Sequence, residues 1–118
     1  MLHEVPVIDP EQIPLVAARF KVLGEPGRLA ILSALQTGER SVGELVEATG
    51  RGQPNVSQHL GALSRAGLVG ARKEGNRVIY RITDPYVARI CDAVCDSLAA
   101  GVRRDAARLV RGRRSARA

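Results

Sequence analysis

The sequence predicts a mainly α fold: five helices, with one two-stranded β-hairpin between the fourth and the fifth. Three observations predict it. Apolar residues recur at helical spacing through most of residues 11–102, the pattern of helices with one face toward a core. The period drops to two in one place, Arg77-Val78-Ile79-Tyr80-Arg81-Ile82, where β-branched and aromatic residues follow a Glu74-Gly75-Asn76 turn, which is a hairpin signal. Aromatic residues are scarce, Phe20, Tyr80 and Tyr86 only, so the core must be Leu, Val, Ile and Ala, as in small helical domains.

A chain of 118 residues holds one domain with a modest core. Residues 1–10, with Pro6, Pro10 and no period, read as a flexible N-terminal arm in which His3 is a lone surface histidine. The domain proper is read over 11–102. Its first helix starts near Glu11, with Pro14 close to the start and Leu15, Ala18, Phe20, Val22 and Leu23 at the apolar positions, and Gly24-Glu25-Pro26 breaks it. The second runs from Pro26 to Gln36, with Leu29, Ile31, Leu32 and Leu35 facing inward. Thr37-Gly38-Glu39-Arg40 reads as a turn. Ser41, with Glu44 three residues on, opens a short third helix through a capping box. Val42, Leu45, Val46 and Ala48 form its buried side, and Gly50-Arg51-Gly52 leads on to the fourth helix.

The fourth helix organises the rest. Val56, Leu60 and Leu63 face inward, while Gln58, Gly61 and Arg65, flanked by Asn55 and Ser57, face out. That outer face has no large apolar group and no carboxylate. Its amide, hydroxyl and guanidinium groups are the types that read base edges and phosphates in a major groove. Pro54 suits a first turn, and Gly67 ends the helix. Gly61 costs about 1 kcal/mol against alanine and clears space for an approaching backbone. Two short helices joined by a Gly-containing turn, the second polar outward, make a helix-turn-helix pattern. An ordinary polar surface helix would carry the same apolar stripe; charge separates the two readings.

Net charge is +6, unevenly distributed. Residues 51–81 carry Arg51, Arg65, Arg72, Lys73, Arg77 and Arg81 against Glu74 alone, and residues 103–118 carry seven arginines against Asp105. The remainder is net acidic. Basic charge on the fourth helix, the hairpin and the tail is the footprint of a phosphate-backbone binder. The hairpin then reads as a wing whose Arg72, Lys73 and Arg77, with Arg81, lie along phosphates or in the minor groove; a plain solvated hairpin is the alternative.

Thr83-Asp84-Pro85 opens the last helix. Val87, Cys91, Val94, Leu98 and Val102 form an apolar stripe with Ile90 beside it. A long apolar helix at the end of a small domain points to a homodimer seam made with the first helix. From Arg103 the pattern thins into an Arg-rich tail, 103–118, with disorder expected over 112–118. The tail reads either as weak, salt-dependent DNA attraction or as a solvated end. No apolar run approaches a membrane span. The start lacks a signal-peptide pattern, so no membrane partner and a cytoplasmic location are expected. An enzyme is not expected: there is no nucleophile–His–acid set, no phosphate-cradling glycine loop and no paired carboxylates in a plausible cleft.

The element order resembles the winged helix-turn-helix repressors of the ArsR/SmtB family over about residues 15–100. The fragments that carry it are Leu23-Gly24-Glu25-Pro26-Gly27-Arg28-Leu29-Ala30-Ile31-Leu32, Ser41-Val42-Gly43-Glu44-Leu45, Gln53-Pro54-Asn55-Val56-Ser57-Gln58-His59-Leu60, Ala66-Gly67-Leu68-Val69 and Gly75-Asn76-Arg77-Val78-Ile79-Tyr80-Arg81-Ile82. Each alone is weak; the ordered set is specific. The resemblance implies a dimeric repressor that sits on a double-stranded DNA operator and leaves it when an effector binds. It places Asn55, Ser57 and Gln58 at base edges, and Gln53, Arg65 and the wing cations Arg72, Lys73 and Arg77 at the backbone. His59 lies to the side of the helix, as a packing or hydrogen-bonding residue or a base reader.

The resemblance also implies metal sensing at two places, and this sequence departs from both. The Cys-x-Cys thiol site reads Ser41-Val42-Gly43, and the zinc positions on the last helix read Asp84, Tyr86, Ser97 and Ala100. What remains is Cys91 and Cys95, at i and i+4, about 6 Å apart at Cβ on one helix. Such a pair can share a soft ion (arsenite, Cd²⁺ or Cu(I)) with a third ligand from elsewhere, or act as a redox or persulfide sensor. Equally, Cys91 sits in the apolar stripe as a packing residue. Two further readings stand beside effector-released repression: a constitutive DNA-binding repressor with no small effector, and a winged-helix protein-interaction module whose basic face meets an acidic partner.

Overall fold

The computed structural model describes residues 7–117; His3 and most of the N-terminal arm lie outside the described residues. Among them the elements run α1 (Ile13–Leu23), α2 (Pro26–Gln36), β1 (Arg40–Ser41), α3 (Val42–Thr49), α4 (Gln53–Arg65), β2 (Val69–Glu74), β3 (Arg77–Ile82) and α5 (Val87–Arg117). The chain begins to coil where expected. Its first turn, Pro10–Gln12, is 3-10, with the Asp9 carboxylate accepting the Glu11 N–H at 3.0 Å, a tight geometry common at helix N-termini.

α2 starts at Pro26, after Glu25, whose carboxylate accepts the Arg28 N–H at 3.0 Å. Ile31, Leu32 and Leu35 are buried, but Leu29, expected inward, is 40% exposed. Leu29 lies roughly 110° around the helix from the centre of the buried three, outside the stripe. Ala48 of α3 is exposed for the same reason, while Leu45 is buried. Both halves of the α3 capping box form: Ser41 Oγ accepts the Glu44 N–H at 3.2 Å, and Glu44 Oε1 accepts the Ser41 N–H at 3.0 Å.

The sheet has three strands, not the expected two. Its order is β1-β3-β2, with Ser41 opposite Ile79 and Val69 opposite Ile82, all antiparallel. A two-residue strand is too short to show a period, so β1 read as a turn. With strands on both sides of it, β3 is central, and Ile79 is its buried residue while Val78, Tyr80 and Ile82 are half-buried. Gly75 opens the two-residue loop between β2 and β3 at φ +62°, the left-handed position that favours glycine in a tight hairpin.

The described residues form two compact units, divided after Asp84. In the first, Ile31, Leu32, Leu45, Val56, Leu60, Leu63 and Leu68 are fully buried, while α1 leaves Ile13, Leu15 and Phe20 exposed. The second is α5, which starts at Val87, two residues beyond the expected proline. Asp84, expected to open it, is held by Arg19 Nη1 at 2.9 Å. α5 continues to Arg117, so disorder from 112 is replaced by helix that far; alanine and arginine are strong helix formers. Val94, Leu98, Val102, Leu109 and Val110 are exposed on it. No described helix is long and apolar enough to cross a membrane.

Candidate nucleic-acid interface

The sequence dictates how α4 is held. Val56, Leu60 and Leu63 are at most 1% exposed and anchor its underside in the core. Gly52 opens it in an extended conformation, with Pro54 in the first turn. At the other end Gly67 adopts φ +77°, and the Gly67 and Leu68 N–H groups donate to the carbonyls of Ser64 and Leu63, each at 3.0 Å. This is a Schellman stop, which satisfies terminal carbonyls and turns the chain sharply into β2. Arg19 adds a tie from α1, its Nη2 donating to the Ala66 carbonyl at 3.2 Å. Nothing in the local pattern of α1 pointed to that role.

With its underside fixed, α4 presents Gln53, Ser57, Gln58 and Arg65 to solvent. Asn55 is half-buried, and its Oδ1 accepts from Arg51 Nη1 at 3.5 Å. Gly61 does leave a gap, and Arg65 lies over it: a Cβ there would meet Arg65 Nη1 at 3.2 Å and no other residue within reach.

On the hairpin Arg72, Lys73 and Arg77 are all exposed, but their electrostatic states differ. Arg72 is paired with Glu39, and with Glu74 at 3.0 Å. Hydrogen bonds to those two carboxylates, Glu39 first, raise its pKa further. Arg77 Nη2 pairs with Glu44 Oε1 at 2.6 Å. The Ser41 N–H, then its hydroxyl, then the Arg77 charge hold the Glu44 carboxyl below its usual range. Lys73, Arg65 and Arg81 carry no ion pair among the described residues. The capping box was legible as a local motif; that its carboxylate also reaches a wing arginine 33 positions away was not.

Sequence reasoning left His59 at the side of α4. The structure turns it inward, 9% exposed, with Nε2 3.2 Å from Glu25 Oε2. Of the cysteines, Cys91 is half-buried and Cys95 exposed. Partial burial, then the neighbouring Cys95 and Asp92, push the Cys91 thiol up. Among the described residues no group of three or more His, Cys, Asp or Glu stands together as a metal site, so one chain offers a soft ion two thiols at most.

Comparison with known proteins bears on this geometry. The family model described as "Bacterial regulatory protein, arsR family" matches residues 25–70, the span of α2 through α4 into β2. An HTH-type transcriptional regulator of Mycobacterium tuberculosis is 47% identical over 77 residues, 64% of this chain and 68% of the relative. The homodimeric winged helix-turn-helix DNA-binding domain of a Mycobacterium bovis protein, solved by NMR, matches with TM-score 0.69 and 36% identity over 83% of this chain and 94% of that one. The crystal structure of the antimony-specific transcriptional repressor AntR matches with TM-score 0.74 and 30% identity over 86% and 93%.

Proposed function

This chain belongs to the ArsR family of bacterial regulatory proteins, and from that premise we propose that it is a homodimeric transcriptional repressor that reads a pseudo-palindromic operator in the cytoplasm. Asn55, Ser57 and Gln58 meet base edges; Gln53, Arg65, Arg72, Lys73 and Arg77 hold the phosphate backbone. The observation that carries this reading is the outer face of α4. It offers amide, hydroxyl and guanidinium groups from a helix whose underside is locked in the core. A major groove admits one helix and is read by such groups. Exposed apolar residues on α1 (Ile13, Leu15, Phe20) and on α5 (Val94, Leu98, Val102) support dimerisation, since a second copy would cover each face.

The test is a gel shift on the region upstream of the protein's own gene. Gln58→Ala is expected to lose about 1–3 kcal/mol on the specific duplex and little on a random one, whereas Arg65→Ala weakens both. Unchanged binding by both variants removes the assignment.

For the effector, the reading is a soft ion, arsenite, Cd²⁺ or Cu(I), held by the Cys91 and Cys95 thiolates, with displacement from DNA as its consequence. Support comes from the i, i+4 spacing of two soft ligands on one helix and from likeness to an antimony-specific repressor. A second reading, constitutive repression with Cys91 as a packing residue, is favoured by the half-buried position of Cys91, which also pushes its thiol up. Native mass spectrometry of the reduced protein with each ion decides between them. An adduct lost in the Cys91→Ser/Cys95→Ser double variant supports sensing; no such adduct leaves the constitutive reading.

A further inference from the structure

One polar contact has no part in the DNA-facing surface. His59 stands between Gln58 and Leu60 on α4 but points inward. Its Nε2 is 3.2 Å from Glu25 Oε2, and its Nδ1 is buried with no partner. Glu25 is the N-cap of α2, and the same Oε2 accepts the Arg28 N–H at 3.0 Å. That N–H first, and His59 after it, hold the Glu25 carboxyl below its usual range, so the imidazole faces a carboxylate. Gly27, buried, lies against this contact: a Cβ there would stand 2.6 Å from His59 Nε2, 2.7 Å from its Cδ2 and 2.9 Å from Glu25 Oε2. Any side chain at 27 would force the ring or the Glu25 carboxylate to shift. Glu25, Gly27 and His59 therefore specify one another across two helices.

Ridge-into-groove packing of apolar side chains holds two helices in place but sets their mutual angle only to within about 15–20°. A single directional polar contact in a packed seam selects one setting, as buried polar residues do when they fix coiled-coil register. We propose that His59 is a positioning residue for operator reading. Its contact with Glu25 over Gly27 sets the rotation of α4 on α2, and so the direction in which Ser57 and Gln58 leave the helix. The inference rests on α4 being the DNA-reading helix.

A mis-set helix loses sequence discrimination but keeps its charge. The readout is therefore the ratio of two affinities, measured by fluorescence anisotropy at one salt concentration. One probe is a duplex enriched by the wild-type protein from a random pool, the other a random duplex of equal length. His59→Leu keeps an apolar fill without the contact, and Gly27→Ala puts a methyl where the ring and the Glu25 carboxylate meet. Glu25→Ser keeps an N-cap too short to reach His59. Each is expected to lower the ratio about ten-fold or more, with random-duplex affinity held within about two-fold. His59→Gln, which presents an N–H at similar reach, is expected to restore most of the ratio. An unchanged ratio in both His59→Leu and Glu25→Ser overturns the proposal, as does a parallel loss of both affinities, the mark of a merely unstable protein. A wild-type protein that enriches no sequence while binding random DNA overturns the DNA-reading assignment itself, and this inference with it.

Discussion

Arg72 and Arg77 are cations that already have partners. To reach a phosphate, Arg72 must leave Glu39 and Glu74, and Arg77 must leave Glu44. Exposed pairs of this kind are weak in water, and phosphate contact brings counterion release in its favour, so DNA should win the exchange at a penalty. Glu39→Gln removes one competitor. It is expected to raise affinity for any duplex about two-fold at low salt, with the gain fading as salt screens the pair; an unchanged titration would show that Glu39 does not compete. Arg72→Ala in the same assay should lower the salt slope by about 1. The identity of these arginines was legible in the sequence, because a basic run on a hairpin is a local pattern. Of their carboxylate partners, Glu74 is local to Arg72, but Glu39 and Glu44 were not legible, since they lie 33 positions from Arg72 and Arg77.

At the scale of elements, the α3 capping box joins local stability to the hairpin. Ser41 caps α3, lies in β1 opposite Ile79, and holds the Glu44 that faces Arg77. Ser41→Ala should lose about 0.5–2 kcal/mol of stability in urea denaturation, more than a surface serine would. Glu44 makes this dependent on pH. Its carboxyl is depressed in the folded chain, so the stability it contributes is fully present above its unfolded-state pKa and is lost as pH falls through the folded value. The gap between wild type and Glu44→Gln should be constant near neutrality and shrink below about pH 4. A gap that stays constant into acid would refute the link. Helix limits marked by caps and breakers were readable: α2 and α4 begin where Pro26 and Pro54 suggested, and α4 ends at Arg65, two residues before Gly67. β1 was not, because two residues become a strand only when β3 arrives beside them.

At the scale of the whole chain, basic charge gathers in two segments. The α4–hairpin segment and the tail are both strongly basic, and α5 carries the tail's first arginines, Arg103, Arg104, Arg108 and Arg111, as exposed helical residues. If the tail adds phosphate contacts, deleting residues 103–118 should flatten the dependence of log affinity on log salt while leaving sequence preference intact. An unchanged slope makes the tail idle.

The sequence by itself determined the helical class, most element boundaries, the outward polar face of α4 and the basic footprint. All of these follow from spacing along the chain, which hydrophobic period and capping chemistry record directly. Only the tertiary structure decided that His59 points inward against Glu25, that Ile79 is the buried residue of a three-stranded sheet, and that two wing arginines rest on acidic partners. Each of those is a meeting of residues distant in sequence. A local period says which side of an element is apolar; it does not say which groups another element brings against that side, and packing settles that.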